Sequence, residues 1–214
     1  KEVVAHFPVY RTYVDAADGA DAEDRRDIDW AIARARKTSA VLDKSVFDFI
    51  HDALTTDLVK EGGRFGKKQV GDFAMKFQQY TGPVMAKGLE DTAFYRYHRL
   101  ASLNEVGGDP RRVGTTPGAF HHVMQERRDA WPHALSATAT HDTKRGEDLR
   151  ARIDVLSEMP AEWGRRVRRW AALNRRRKAV VDGHPAPRAD DEFLLYQMLL
   201  GAWPIKLLDD AEAD

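Results

Sequence analysis

The sequence contains no cysteine, which excludes disulfides, thiolate catalysis and cysteine-based zinc or iron–sulfur sites. That absence fits a reducing compartment, and a cytoplasmic protein is expected. Net charge is absent as well, since 34 lysines and arginines balance 34 aspartates and glutamates. Nothing at long range therefore draws the chain to nucleic acid or to an anionic membrane. No apolar run approaches the roughly 18 residues of a membrane span, and no basic-then-apolar leader opens the chain. The phosphate-loop, dinucleotide and serine-hydrolase signatures G-x-x-x-x-G-K-[ST], G-x-G-x-x-G and G-x-S-x-G are all missing. What is present is 214 residues with an ordinary apolar content of 43% and a high charged fraction of 32%, enough for one large domain or two small ones. The chain starts at Lys1 and enters a strand-like segment almost at once, so a piece of a longer protein is expected.

The pattern is mainly helical. Residues 7–14 are rich in β-branched and aromatic types and read as a short strand, with Pro8 near its start. A polar loop follows. Asp24 or Asp27 then caps a helix whose apolar positions Ile28, Ala31, Ile32 and Ala35 repeat at helical spacing. Ser45 opens a second helix (Val46, Phe47, Ile50, Leu54, Leu58) that Gly62-Gly63 ends. A third carries Val70, Phe73, Ala74 and Phe77, and Thr81-Gly82-Pro83 breaks it. Leu89, Ala93, Tyr97 and Leu100 form the next periodic set. Thr116-Pro117 is a strong start signal for another helix.

Residues 134–139 alternate apolar and polar types and read as a buried strand. Beyond them lie a helix marked by Leu149, Ile153 and Leu156, and another by Trp163, Val167, Trp170 and Leu173. Residues 182–191 read as a linker. Residues 193–200 are apolar nearly all round, which predicts a buried helix stopped at Ala202-Trp203-Pro204. Two strands so far apart make no independent sheet. Either they pair with each other or they belong to a sheet whose other strands lie elsewhere.

Two polar clusters stand out. Thr140-His141-Asp142-Thr143-Lys144-Arg145 crowds four ionisable side chains into one turn after the second expected strand. Such crowding is costly if buried and needs mutual pairing or a ligand. The plainer alternative is a solvated turn in which Asp142 or Thr143 caps the next helix, and the two roles are compatible. Lys87, Glu90, Asp91 and Tyr95 share a helical spacing that favours an ordinary surface ion-pair set. Carboxylates, a lysine and an aromatic ring would also suit a sugar face. The arginines at 165–169 and 175–177 interleave with Trp163, Val167, Trp170 and Leu173, so they occupy a solvated face rather than a nucleic-acid site. His121-His122 and His133 lack the spacing of a metal site, and none is expected.

Several longer stretches carry a resemblance. They are Phe77-Gln78-Gln79, Gly82-Pro83-Val84-Met85-Ala86-Lys87-Gly88-Leu89-Glu90-Asp91-Thr92-Ala93-Phe94-Tyr95-Arg96-Tyr97, Leu103-Asn104-Glu105-Val106-Gly107-Gly108, the run from Thr140 to Arg152, and Leu195-Tyr196-Gln197-Met198-Leu199-Leu200-Gly201-Ala202-Trp203-Pro204. In this order they resemble the maltooligosyltrehalose synthases, members of the α-amylase superfamily of (β/α)8 barrels. Residues 7–14 resemble a barrel-strand segment of the same family.

The resemblance implies a retaining intramolecular transglycosylation. It converts the reducing-end α-1,4 linkage of a maltooligosaccharide to an α,α-1,1 linkage, without a cofactor, and works alongside a trehalose-releasing hydrolase. Retention needs a nucleophilic carboxylate and an acid/base carboxylate. By motif position Asp142 would be a third, catalytic carboxylate that holds sugar hydroxyls, with His141 as its sugar-binding neighbour. Lys144 would sit near the reducing-end glucose, and Lys87 would bind substrate. Glu90, Asp91, Tyr95 and Arg145 match the motifs without an assigned role. Nothing here resembles the segments bearing the nucleophile and the acid/base group, so the chain alone is expected to be inactive.

The expected organisation is a barrel-strand segment and loop at 1–23, a helical insertion at 24–130, a late barrel strand with the His-Asp site at 131–159, and a helical segment at 160–214. The fold class is thus mainly α, with one or two strands belonging to a barrel. The alternatives are another α-amylase-superfamily hydrolase or transglycosylase, or a helical binding or structural module.

Overall fold

A computed structural model describes residues 1–39, 43–59 and 64–204. These fall into two compact units, one up to Thr92 and one from Ala93 onward, each with its own core. Among the described residues no helix is long and apolar enough to cross a membrane.

The first unit holds α1 (Glu2–Ala5), α2 (Ala22–Thr38), α3 (Lys44–Leu54) and α4 (Lys67–Met85). Ile28, Ala31, Ile32 and Ala35 form the buried stripe of α2, as their spacing predicts. They meet Phe47 and Leu54 of α3, Ala74 of α4, and Val3, Phe7 and Val14 near the N-terminus. The caps lie earlier than expected. Asp21 caps α2 by accepting the N–H groups of Glu23 and Asp24, and Asp43 caps α3 by accepting that of Ser45. Asp24 is buried instead, and its carboxylate accepts the Tyr13 N–H at 3.0 Å. Leu58 lies beyond the end of α3, and the Gly62-Gly63 stop falls outside the described residues.

Residues 7–14 form no strand, contrary to their composition. Buried backbone outside a sheet still needs hydrogen-bond partners, and here a side chain supplies them. Gln78 of α4 donates through Nε2 to the Val14 carbonyl at 2.8 Å, and its Oε1 accepts the Val14 N–H at 3.0 Å. The same oxygen accepts from Thr12 Oγ1 at 3.1 Å. One buried amide thus does for Val14 what a paired strand would do. The expected break at Thr81-Gly82-Pro83 does not occur either, because α4 runs on to Met85. Gln78 and Thr81 are buried on its packed face, so tertiary packing overrides the local cost of proline. The helix then widens into a π-type turn at Ala86–Glu90.

The second unit contains short 3-10 turns at Ala93–Tyr95 and Ala101–Leu103, then α5 (Pro117–Ala130), α6 (Glu147–Asp154), α7 (Pro160–Asn174), β1 (Ala179–Val181), β2 (His184–Ala186) and α8 (Ala189–Ala202). The helix expected through Leu89, Ala93, Tyr97 and Leu100 is replaced by these turns. Asn104 folds the chain back by donating to the Phe94 carbonyl at 2.9 Å and the Tyr97 carbonyl at 2.6 Å. α5 starts as expected, with Thr116 accepting the Ala119 N–H ahead of Pro117. It buries no side chain, however, and leaves Phe120, Val123 and Met124 exposed. On α7 the rings of Trp163 and Trp170 pack edge to face and the interleaved arginines face solvent, but Leu173 is exposed.

Residues 134–139 form no buried strand. They are exposed loop, with Leu135 at 96% of full exposure. The alternation is real, but no described strand lies beside it, and the loop carbonyls go to Arg127 and Arg150 instead. The strands that do form, β1 and β2, pair antiparallel where a linker was expected at 182–191. Asp182 and Gly183, at φ 51° and 77°, supply the two left-handed residues of a tight hairpin turn.

α8 inverts its expected burial. Glu192, Tyr196 and Gln197 are buried, while Leu195, Leu199 and Leu200 are exposed. Gln197 repeats the role of Gln78, since its Oε1 accepts the Ala101 N–H at 2.8 Å and its Nε2 donates to the His98 carbonyl at 2.9 Å. Glu192 takes Lys178 Nζ at 2.5 Å and the Tyr196 hydroxyl at 2.5 Å. The lysine first, and the hydroxyl after it, hold the Glu192 carboxyl below its ordinary range. Burial, helped by that carboxylate, pushes the Tyr196 phenol up.

Two predictions follow from these buried polar groups. Gln78→Ala should cost about 3–5 kcal/mol, because it leaves both Val14 backbone groups buried without partners. Urea unfolding measures this, and a loss below about 1 kcal/mol would contradict it. Glu192→Gln should destabilise the chain by about 3 kcal/mol at neutral pH, because Lys178 loses its counter-charge. The folded carboxyl titrates low, so its contribution is complete above about pH 4.3 and fades as pH falls through the depressed value. Melting of wild type and variant should therefore converge in acid, and a gap that persists there would refute the assignment.

Candidate functional site

In the second unit, residues 140–146 form an exposed turn leading into α6. Thr143 closes it, accepting the Thr140 N–H on Oγ1 at 2.6 Å and donating its own N–H to the Thr140 carbonyl at 3.2 Å. His141 and Asp142 stand at the tip with side chains 97% and 72% exposed, and His141 Nδ1 lies 3.1 Å from Asp142 Oδ1. Neither Asp142 nor Thr143 caps α6, because the N-cap position belongs to Gly146.

The foot of the turn is tied down. The Lys144 N–H faces both oxygens of Glu105, at 2.9 and 3.1 Å, and the Arg145 N–H reaches Oε2 at 3.3 Å. Glu105 also accepts the Val106 N–H at 2.9 Å and lies 3.7 Å from Arg150 Nη1. Arg145 is half-buried and donates through Nε to Met198 Sδ at 3.5 Å. Burial lowers the proton affinity of its guanidinium, opposed by the nearby Tyr95 and Glu105. Tyr95 itself sits exposed in the Ala93–Tyr95 turn. Beside the loop, a depression of about 850 Å³ is lined by residues including Thr138, Glu147, Asp148, Arg152 and Gly201.

The remaining candidates lie in the first unit, on the π-type turn. Lys87 Nζ pairs with Asp91 Oδ2 at 2.6 Å on the surface, as the ion-pair reading expects. Glu90 departs from that set. It is buried and accepts the Tyr10 hydroxyl, so it ties the turn to the N-terminal segment. Among the described residues, His51, Asp52 and Asp57 lie close enough to share a cation. They already have partners, since Asp29 takes His51 Nε2 at 2.9 Å and Arg25 grips Asp57 with two bonds of 2.7 Å. Sequence reasoning did not single out Glu105, which holds the foot of the turn. A single glutamate in an irregular loop carries no spacing signal, and its partners are some forty residues away.

No protein-family model matches the chain. Over 135 residues it is 44% identical to a protein of two Mycobacterium tuberculosis strains, provisionally named a maltooligosyl trehalose synthase; the match takes 63% of this chain and 16% of that protein. The maltooligosyltrehalose synthase of Arthrobacter ramosus superposes with a TM-score of 0.72 at 35% identity, covering 95% of this chain and 23% of that one. The chain is a relative of the maltooligosyltrehalose synthases. A Sulfolobus tokodaii protein described as a hypothetical maltooligosyl trehalose synthase agrees, with a TM-score of 0.65 and 31% identity over 99% of this chain and 25% of that one. The chain therefore spans about a quarter of the length of these solved synthases, and less of the curated one.

Proposed function

We propose that the chain forms part of a maltooligosyltrehalose synthase, acting in the cytoplasm without a cofactor and beside a trehalose-releasing hydrolase. The reaction is the retaining conversion of a reducing-end α-1,4 linkage to an α,α-1,1 linkage. One observation carries the reading: the shared sequence and fold take in nearly the whole chain, which presents a His141-Asp142 turn fixed at its foot and exposed at its tip. In this reading Asp142 is the third carboxylate, accepting hydrogen bonds from sugar hydroxyls and favouring the charged, flattened ring of the transition state. His141 and Lys144 donate to neighbouring hydroxyls, and Tyr95 offers a ring for stacking. Lys87 binds sugar as well, with Asp91 orienting it. Glu90 and Arg145 face inward, held to the Tyr10 hydroxyl and to Met198 Sδ, and brace the fold rather than touch substrate.

The nucleophile and the proton donor come from parts of the longer enzyme that this chain does not resemble. In the longer enzyme the segments 7–14 and 134–139 belong to its barrel wall. The exposed apolar side chains of α5 and α8, among them Phe120, Val123, Leu195 and Leu199, suit a chain that packs against more protein.

Incubated alone with maltopentaose, the chain should yield no trehalose-terminated product, because one supporting carboxylate replaces neither a nucleophile nor an acid. Product formation would overturn that division of labour. Titration of an isotope-labelled chain with maltopentaose should move the amide resonances of His141, Asp142 and Lys144, and Asp142→Asn should reduce the response. A titration that moves none of them would reject the sugar-facing turn.

A further inference from the structure

We infer that Glu105 is a positioning residue that sets the His141-Asp142 turn through the backbone of Lys144 and Arg145. The functional side of this inference rests on the reading of that turn as sugar-facing. The geometry stands by itself.

A carboxylate has about four acceptor sites and no donor. Glu105 directs them at three consecutive needs of the fold: the N–H groups of Lys144 and Arg145 across the loop, and that of Val106 beside it. Arg150 of α6 approaches the same carboxylate and offsets its charge. The side chain is 16% exposed, against 97% and 72% at the tip. Its oxygens are occupied by the protein, so Glu105 acts on a sugar only through what it holds.

Two adjacent N–H groups aimed at one carboxylate restrict the dihedral angles between Lys144 and Arg145. Hydrogen bonds to an ionised acceptor are also about twice as strong as neutral ones. The direction in which Lys144 leaves the backbone is thereby fixed. With Thr140 and Thr143 closing the other foot, so is the direction of Asp142 two residues upstream. A displacement of about 1 Å at such a group is enough to weaken recognition strongly.

Glu105 is itself rigidly mounted. Its carbonyl accepts the Gly108 N–H at 2.8 Å in a turn that passes through Gly107 at φ 72°. A Cβ at Gly108 would stand 2.9 Å from both the Glu105 and the Leu103 carbonyl oxygens, so this turn closes only on glycine. Leu103-Asn104-Glu105-Val106-Gly107-Gly108 is thus a mount that presents one carboxylate to the turn.

Amide hydrogen exchange and maltopentaose titration on the 214-residue chain, as wild type, Glu105→Ala and Glu105→Gln, test this. Glu105→Ala should speed exchange at Lys144 and Arg145 about tenfold or more while Ile153 in α6 stays protected. Glu105→Gln keeps an acceptor oxygen and should recover part of that protection. Maltopentaose affinity should follow the same order, with a loss of about tenfold in Glu105→Ala and partial rescue in Glu105→Gln. Unchanged protection at Lys144 and Arg145 in both variants would overturn the clamp. If the wild type shows no response to maltopentaose, the sugar reading fails, and the exchange result still decides the clamp. If the wild type responds and Glu105→Ala binds equally well despite faster exchange, the positioning role fails.

Discussion

Buried backbone must find a hydrogen-bond partner, and no described strand pairs with the segments around Val14 and Ala101. The primary amide of glutamine solves the problem because it presents a donor and an acceptor side by side, as a neighbouring strand does. Gln78 on α4 does this for Val14, and Gln197 on α8 does it for His98 and Ala101. Each unit is built around one such amide, set on a long helix and facing irregular chain. Asn104 and Glu105 extend the device further along the same loop of the second unit.

That arrangement explains features that hydropathy alone would count as errors. α8 turns a glutamate, a tyrosine and a glutamine inward and leaves leucines outside because its buried face serves polar backbone and Lys178. α4 passes through Pro83 because Gln78 and Thr81, just upstream, are locked into the packed face. Residues 7–14 stay irregular rather than forming a strand for the same reason. An unpaired polar atom in such places costs about 1–3 kcal/mol, and a satisfied network earns conformational definition in return. Around the candidate site this definition is spent on the foot of the turn, and the tip with His141 and Asp142 remains open.

Much of the helical framework was legible from residue spacing. The stripe of α2, the Thr116-Pro117 start of α5 and the tryptophan face of α7 all follow from local rules. The strands were not legible. Composition at 7–14 and alternation at 134–139 report a local preference for extended backbone, whereas strand pairing depends on a distant neighbour. The hairpin at Asp182-Gly183 was overlooked because its proline-rich flank, His184-Pro185-Ala186-Pro187, resembles a linker. For the candidate site, motif order pointed to the His141-Asp142 turn, and spacing correctly paired Lys87 with Asp91. Spacing could not show that Glu90 points inward, because a π-type turn breaks the helical phase on which that inference relied. Nor could it reveal Glu105, whose partners are distant in sequence.

The central claim is that side-chain amides replace strand pairing in both units. Native-state amide exchange at Val14 and Ala101 tests it most directly, since each N–H has a glutamine oxygen as its partner. The account predicts that both exchange as slowly as helix-interior amides such as those of Ile32 and Ile153. Exchange at the rate of an open loop would contradict it.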